Sequence, residues 1–312
     1  MPLNHSEQDF FDLLAQRETS HPSKPLKEQT LDEFRKGGSI LLEFAGEPAH
    51  VPMKDFFIAA RDGYQIPIRM FNSDVKTPGP ILVMFPGGGY VMDTFEANAI
   101  ACSRIAKFSG QKIILVNYRL VPENPMPTPM NDGFDVVKYI AEHPVEFQLD
   151  STNLNIGGFS AGAHCAAVIS YLAQNENKIH INHQILLNGA FDALLVQREY
   201  AEYEAKDLMV SREAVKHIYQ LWGITQDQLH LPLYSPYYTQ NVSELPKTTL
   251  LIGEFDGMRS DSEAYYQKLQ KGGCQVSRIL LSGECHHTML LRGAITEGED
   301  PAKIIAEVLV NS

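Results

Sequence analysis

From about residue 50 onward, short unbroken apolar runs alternate with longer stretches in which apolar residues recur at helical spacing. "GPILVMFPGG" and "QKIILVNYRL" are continuous apolar runs that predict buried strands, and "TNLNIGGF", "INHQILLNG", "PKTTLLIGEFD" and "CQVSRILLSG" predict further strands. Between them, "FEANAIACSRIAKFSG", "PMNDGFDVVKYIAEHP", "AGAHCAAVISYLAQN" and "SDSEAYYQKLQKGG" read as helices, the last stopped by Gly272 and Gly273. A final helix is expected around "PAKIIAEVLVN". Ahead of the series, "VPMKDFFIAARDGYQIPIRMF" predicts two strands joined at Arg61-Asp62-Gly63, an Asp-Gly hairpin signal.

Strands alternating with amphipathic helices predict an α/β fold with a mostly parallel central sheet flanked by helices. Such sheets bind ligands at the carboxyl ends of their strands. Two segments fall outside the rhythm: residues 1–48, and about 191–240, which contain the helical, aromatic "YAEYEAKDLMVSREAVKHIYQLWGI". They predict a helical N-terminal cap segment and a cap insertion within a catalytic domain spanning 49–312. Trp222 and Met209 in that insertion read as packing residues.

The remaining features mainly exclude. The chain has 312 residues, 44% apolar and 21% charged, in the range of a globular protein with a sizeable core. A net charge of -12 and the lack of any basic stripe argue against a nucleic-acid partner. No apolar run approaches the ~18 residues of a membrane span, and the first thirty residues lack the layout of a secretory signal, so a cytoplasmic location is the default expectation. Cys102, Cys165, Cys274 and Cys285 are scattered and read as reduced, buried thiols.

Chemistry first shows at Gly158-Phe159-Ser160-Ala161-Gly162, a G-x-S-x-G pentapeptide. By chance alone the pattern arises in roughly one chain of this length in ten, from ordinary Gly and Ser frequencies. Its place between a predicted strand and a predicted helix is what gives it weight. A serine on such a turn is an exposed nucleophile, with a helix N-terminus favouring the negative charge that develops beside it. "MFPGGGYVMD" ends an earlier strand with Gly87, Gly88 and Gly89, a candidate source of backbone donors for an oxyanion. No Lys follows to make a phosphate loop, and the dinucleotide spacing is absent.

Taken in order, "FPGGGYV", "VNYRLVPENPMPTPMNDGFDVV", "GGFSAGAHCAA", "LYSPYY", "LLIGEFDGMRSD" and "LSGECHHTML" resemble the hormone-sensitive-lipase-like branch of the α/β-hydrolases, a family of carboxylesterases and lipases. The likeness runs from about Val51 to Leu291. It implies an α/β-hydrolase fold with a helical cap. It also implies Ser160 as nucleophile, Asp256 as the acid and His286 as the base, with an oxyanion hole from Gly88, Gly89 and Ala161. The order Ser, Asp, His is that of α/β-hydrolases. Glu254 and Asp261 are the competing acids and His287 the competing base.

Cys285-His286-His287 lacks a second cluster of ligands, so no metal is expected, and the chemistry needs no cofactor. The expected activity is serine carboxylesterase, with short-to-medium acyl esters implied by the resemblance. A small-molecule ester is the expected partner, and a homodimer is left open. Pro86 stands where the family has a His that helps hold the glycine loop, and Phe159 where an Asp is usual. Gly257 and His287 stand where Pro and Gly are usual. These departures bear on substrate, leaving open a carbohydrate acetyl esterase, an amide or formamide hydrolase, or a non-catalytic ligand-binding homologue.

Overall fold

The computed structural model describes residues 3–174, 176, 179–194 and 209–311; the stretch 195–208 of the expected cap insertion lies outside the described residues. Eight strands form one sheet: β1 (Met53–Ala59), β2 (Gln65–Phe71), β3 (Gly79–Phe85), β4 (Lys112–Val116), β5 (Leu149–Phe159), β6 (His183–Leu187), β7 (Lys247–Gly253) and β8 (Val276–Leu281). Their spatial order is β1-β2-β4-β3-β5-β6-β7-β8. β1 pairs antiparallel with β2, and β2 with β4; every later pairing is parallel. The Asp-Gly turn between β1 and β2 lies where the sequence puts it.

Successive residues of a strand face opposite sides of the sheet, and the core divides accordingly. Ile81, Val83 and Phe85 of β3 pack on one side, with α5 (Thr128–Glu142), α7 (Ala161–Ala173) and α9 (Arg259–Lys271). Leu82 and Met84 pack on the other, with α4 (Phe95–Ser109) and α10 (Pro301–Val310). Every residue of β4 and β6 is buried, which is why those runs carry no polar alternation.

The N-terminal region is helical: α1 (His5–Ser20), α2 (Leu31–Gly37) and α3 (Ser39–Glu43). A one-turn helix, α6 (Pro144–Phe147), precedes β5, and α8 (Arg212–Leu221) falls within the expected cap insertion. Phe34 of α2 meets His217 of α8 edge-on, 5.1 Å between ring centres, so the two irregular segments touch each other.

The topology chooses the place for a site. From β3 the chain crosses through α4 to β4 on one side, whereas from β5 it crosses through α7 to β6 on the other. The carboxyl ends of β3 and β5 therefore flank a crevice where the winding reverses, the usual binding position in open parallel sheets.

Candidate active site

Ser160 follows β5 directly and has φ 55° and ψ −117°, a conformation that L-residues avoid. Its N–H donates to the Leu187 carbonyl at 2.9 Å, and its carbonyl accepts from His164 N–H at 3.1 Å, so the strained turn is fixed at both ends. The flanking glycines are required by close approach. A Cβ on Gly158 would lie 2.2 Å from the Gly162 carbonyl carbon, and one on Gly162 would lie 1.8 Å from the Phe85 carbonyl oxygen. Strand, turn and helix can close around Ser160 only with hydrogen at both positions. The serine itself is partly exposed while its neighbours are buried.

Asp256 and His286 come from the loops after β7 and β8. Both are buried, and Asp256 Oδ1 lies 2.8 Å from His286 Nδ1. Oδ1 already accepts the Met258 N–H at 2.7 Å, so it meets the imidazole as an acceptor and the ring proton sits on Nδ1. That leaves the Nε2 lone pair as the basic site. The competing carboxylates are engaged elsewhere: Glu254 accepts from Ser282 and Gly283, and Asp261 from the Phe191 N–H. His287 is half-buried, and desolvation, with His286 beside it, holds its pKa well below the ordinary value.

Phe159 is only 1% exposed. Its ring lies under His286 and His287, with centroids 5.0 and 5.6 Å away. Its position packs the histidine loop beside the elbow.

The N–H groups of Gly88, Gly89 and Ala161 donate to no other group among the described residues. Gly88 and Gly89 have φ of 97° and 65°, the left-handed region open to glycine. The histidine that Pro86 replaces is not missed, because other side chains hold this loop by its carbonyls. Tyr118 donates its hydroxyl to Pro86 O, Thr94 donates to Gly87 O at 3.1 Å, and Trp222 Nε1–H donates to Gly89 O at 2.9 Å. Trp222, read from the sequence as packing alone, thus carries a directed hydrogen bond from the insertion to the glycine loop. Its ring also lies against Tyr90 and His164. His164 donates from Nε2 to the Tyr234 carbonyl and accepts the Tyr90 hydroxyl at Nδ1; burial lowers its pKa to about 4, which keeps it neutral.

Two further residues hold the histidine loop. Asn188 donates to the His286 carbonyl and accepts the Gly253 N–H, both at 2.8 Å, which ties the ends of β6 and β7 to the loop. Glu7 of α1, fully buried, accepts the Cys285 N–H at 3.0 Å and the Thr288 hydroxyl. Beside it, burial, with Glu7 as neighbour, pushes the Glu284 carboxyl up to about 8. All four cysteines are buried, and none is in a disulfide. Among the described residues, no group of three His, Cys, Asp or Glu side chains is arranged to hold a metal ion, and no helix is long and apolar enough to cross a membrane.

A strained serine elbow, a buried Asp–His pair and a glycine loop on one sheet edge define the class of an α/β-hydrolase. The profile described as "alpha/beta hydrolase fold" matches residues 82–290. The chain belongs to that family, in its hormone-sensitive-lipase-like esterase and lipase branch, and so among the carboxylic ester hydrolases. It is 24% identical to an ethyl acetate hydrolase of Pseudomonas putida over 99% of each chain. It is 26% identical to an arylesterase of Saccharolobus solfataricus, over 75% of this chain and 76% of that one. A solved structure of a hyperthermophilic esterase from Pyrobaculum calidifontis superposes with a TM-score of 0.86 at 24% identity, covering 100% of this chain and 99% of that one.

Proposed function

We propose that the protein is a serine carboxylesterase acting on short-to-medium acyl esters through Ser160, His286 and Asp256. His286 Nε2 takes the Ser160 proton as Oγ attacks the ester carbonyl, and Asp256 orients and stabilises the imidazolium. The N–H groups of Gly88, Gly89 and Ala161 receive the carbonyl oxygen as it becomes negative. His286 returns its proton to the leaving alcohol, and water then releases the acid from the acyl-enzyme by the same steps in reverse.

The observation that carries this reading is the conjunction of unengaged N–H groups with a serine whose backbone is held in a costly conformation. Strain of about 1–3 kcal/mol persists only where surrounding structure enforces it, and it concentrates at functional sites. The preference for small acyl groups is supported by the relative named as an ethyl acetate hydrolase. The contact of α2 with α8 supports reading residues 1–48 and about 191–240 as one cap over the strand ends.

The test is turnover of p-nitrophenyl esters from acetate to decanoate, with fluorophosphonate labelling, for the wild type and Ser160→Ala. The expected outcome is labelling and turnover in the wild type alone, with the fastest rates on the shorter chains. Equal rates in the two proteins would sink the mechanism. A maximum on sugar acetates or formamides would move the substrate while leaving the machinery in place.

A further inference from the structure

Thr94 occupies the N-cap of α4, where a threonine normally accepts a hydrogen bond from a backbone N–H of the first turn. Here its side chain makes no such bond. It is 4% exposed and turned toward the glycine loop, where its hydroxyl reaches Gly87 O at 3.1 Å. Asn98, one turn along α4 and 2% exposed, places Nδ2 2.9 Å from Thr94 O and 3.0 Å from Thr94 Oγ1.

The direction of this chain follows from its chemistry. Thr94 O is a carbonyl and can only accept, so the Asn98 amide must present its nitrogen there. That same nitrogen donates to Thr94 Oγ1. The hydroxyl, receiving a hydrogen bond from Asn98, has its own hydrogen left for Gly87 O. Gly87 O belongs to the peptide whose N–H is that of Gly88, and in a trans peptide the two point opposite ways. The groups therefore line up head to tail: Asn98 amide, Thr94 hydroxyl, Gly87 carbonyl, Gly88 N–H. In a buried setting such a chain polarises each successive donor and fixes the plane of the last peptide. The Thr94 methyl also braces Gly88, where an added Cβ would come within 3.1 Å of it.

We infer that Thr94, oriented by Asn98, is a positioning residue that aims and polarises the Gly88 N–H toward the developing oxyanion. It does so in a loop whose first position is proline and so offers no side-chain hydrogen bond of its own. The inference rests on the esterase reading above and deepens it. Tyr118 and Trp222 hold neighbouring carbonyls of the loop, but the closest side-chain hydrogen bond to the Gly87–Gly88 peptide comes from Thr94.

The experiment compares wild type, Thr94→Val and Thr94→Ser for steady-state kinetics on p-nitrophenyl acetate, inhibition by phenylboronic acid and thermal unfolding. The boronate forms a tetrahedral anion on the serine, so its affinity reads the oxyanion hole directly. Thr94→Val keeps the shape and removes the donor; kcat should fall about three- to tenfold, the worth of one neutral hydrogen bond, with KM unchanged and boronate binding weakened by a similar factor. Thr94→Ser restores the donor and should recover most of the loss. A purely structural role would lower the unfolding temperature and leave kcat of the folded protein alone; that result overturns the inference, as does a serine variant no better than the valine. Should Thr94→Val fail to fold, Asn98→Leu carries the same test, with a loss of a few-fold in kcat expected and an unchanged kcat overturning the inference. A wild type without turnover defeats the esterase reading and this inference together; an active wild type matched by Thr94→Val defeats this inference alone.

Discussion

Replacing Gly162 by alanine adds one methyl group at the glycine with the least room for it. The new Cβ would lie 1.8 Å from the Phe85 carbonyl oxygen, 2.5 Å from its carbon and 2.7 Å from the Pro86 oxygen. Non-bonded heavy atoms settle near 3.5 Å, so α7 would have to retreat from β3 by roughly 1.7 Å. The obstructing atoms are backbone, with no rotamer to yield. Overpacking a core costs about 1–3 kcal/mol where side chains can shift, and this contact belongs at or above that upper end. The retreat also separates Ser160 and Ala161 from the glycine loop that begins at Pro86. Displacements near 1 Å cost about 10²-fold in rate, so kcat/KM should drop at least that far in whatever protein still folds. Gly37→Ala is the control: nothing lies within 4 Å of its added Cβ, and it closes α2. Alanine there should raise stability by up to about 1 kcal/mol and leave the kinetics alone. The assay is p-nitrophenyl acetate turnover beside thermal unfolding. A Gly162→Ala protein with wild-type kcat/KM and an unshifted transition would refute the close-approach argument.

Three further outcomes are expected. Asp256→Asn keeps the shape but loses the carboxylate that holds the proton on His286 Nδ1; kcat should fall about 10³–10⁴-fold, and a loss confined to KM in steady-state assays would count against Asp256 as the orienting acid. Trp222→Phe removes the hydrogen bond to Gly89 O while keeping an aromatic ring in place. Its kcat should drop a few-fold, up to about tenfold for one hydrogen bond, and undiminished turnover would return Trp222 to packing alone. Glu284 has a folded pKa raised to about 8 from 4.5, so between those values the folded state holds a proton that the unfolded state has lost. Stability from this group therefore falls as pH rises from about 4.5 to 8. Glu284→Gln should flatten that slope and raise stability at pH 8 by the order of a few kcal/mol; denaturant titrations at pH 5 and pH 8 check it, and parallel shifts at both would exclude the buried acid.

The sequence disclosed those parts of the site that are local in the chain. The serine elbow and the glycine loop each need small residues at consecutive positions, so each is written as a short motif. The family resemblance and chain order pick Asp256 and His286 over Glu254, Asp261 and His287, and the structure brings that pair within 2.8 Å. The supporting residues left no trace, because each is an ordinary residue that becomes specific only through distant packing. Trp222 reaches across 133 positions to Gly89, and Asn188 across 98 to His286. Thr94 reads as a routine helix cap until its hydroxyl is seen pointing away from the helix. The strands were visible as apolar runs, but their spatial order was not, since a buried strand has the same texture whichever neighbours it takes. Phe159 is legible only as a neighbour of Ser160, because its packing against the His286 and His287 rings is made with residues far along the chain.

The contact between Glu7 and the histidine loop spans 278 positions, nearly the length of the chain. Glu7 lies on α1, whereas the backbone amide of Cys285 and the hydroxyl of Thr288 that donate to its carboxylate follow β8. Burying a carboxylate is costly unless such donors are in place, so the docking of α1 and the ordering of this loop depend on each other. Contacts so distant in sequence form late, because a long loop must close before anything rewards it. The loop bearing His286 is then secured by α1 only once that long loop has closed. A chain with its sheet already assembled would still lack a fully seated His286 loop until α1 has docked against it.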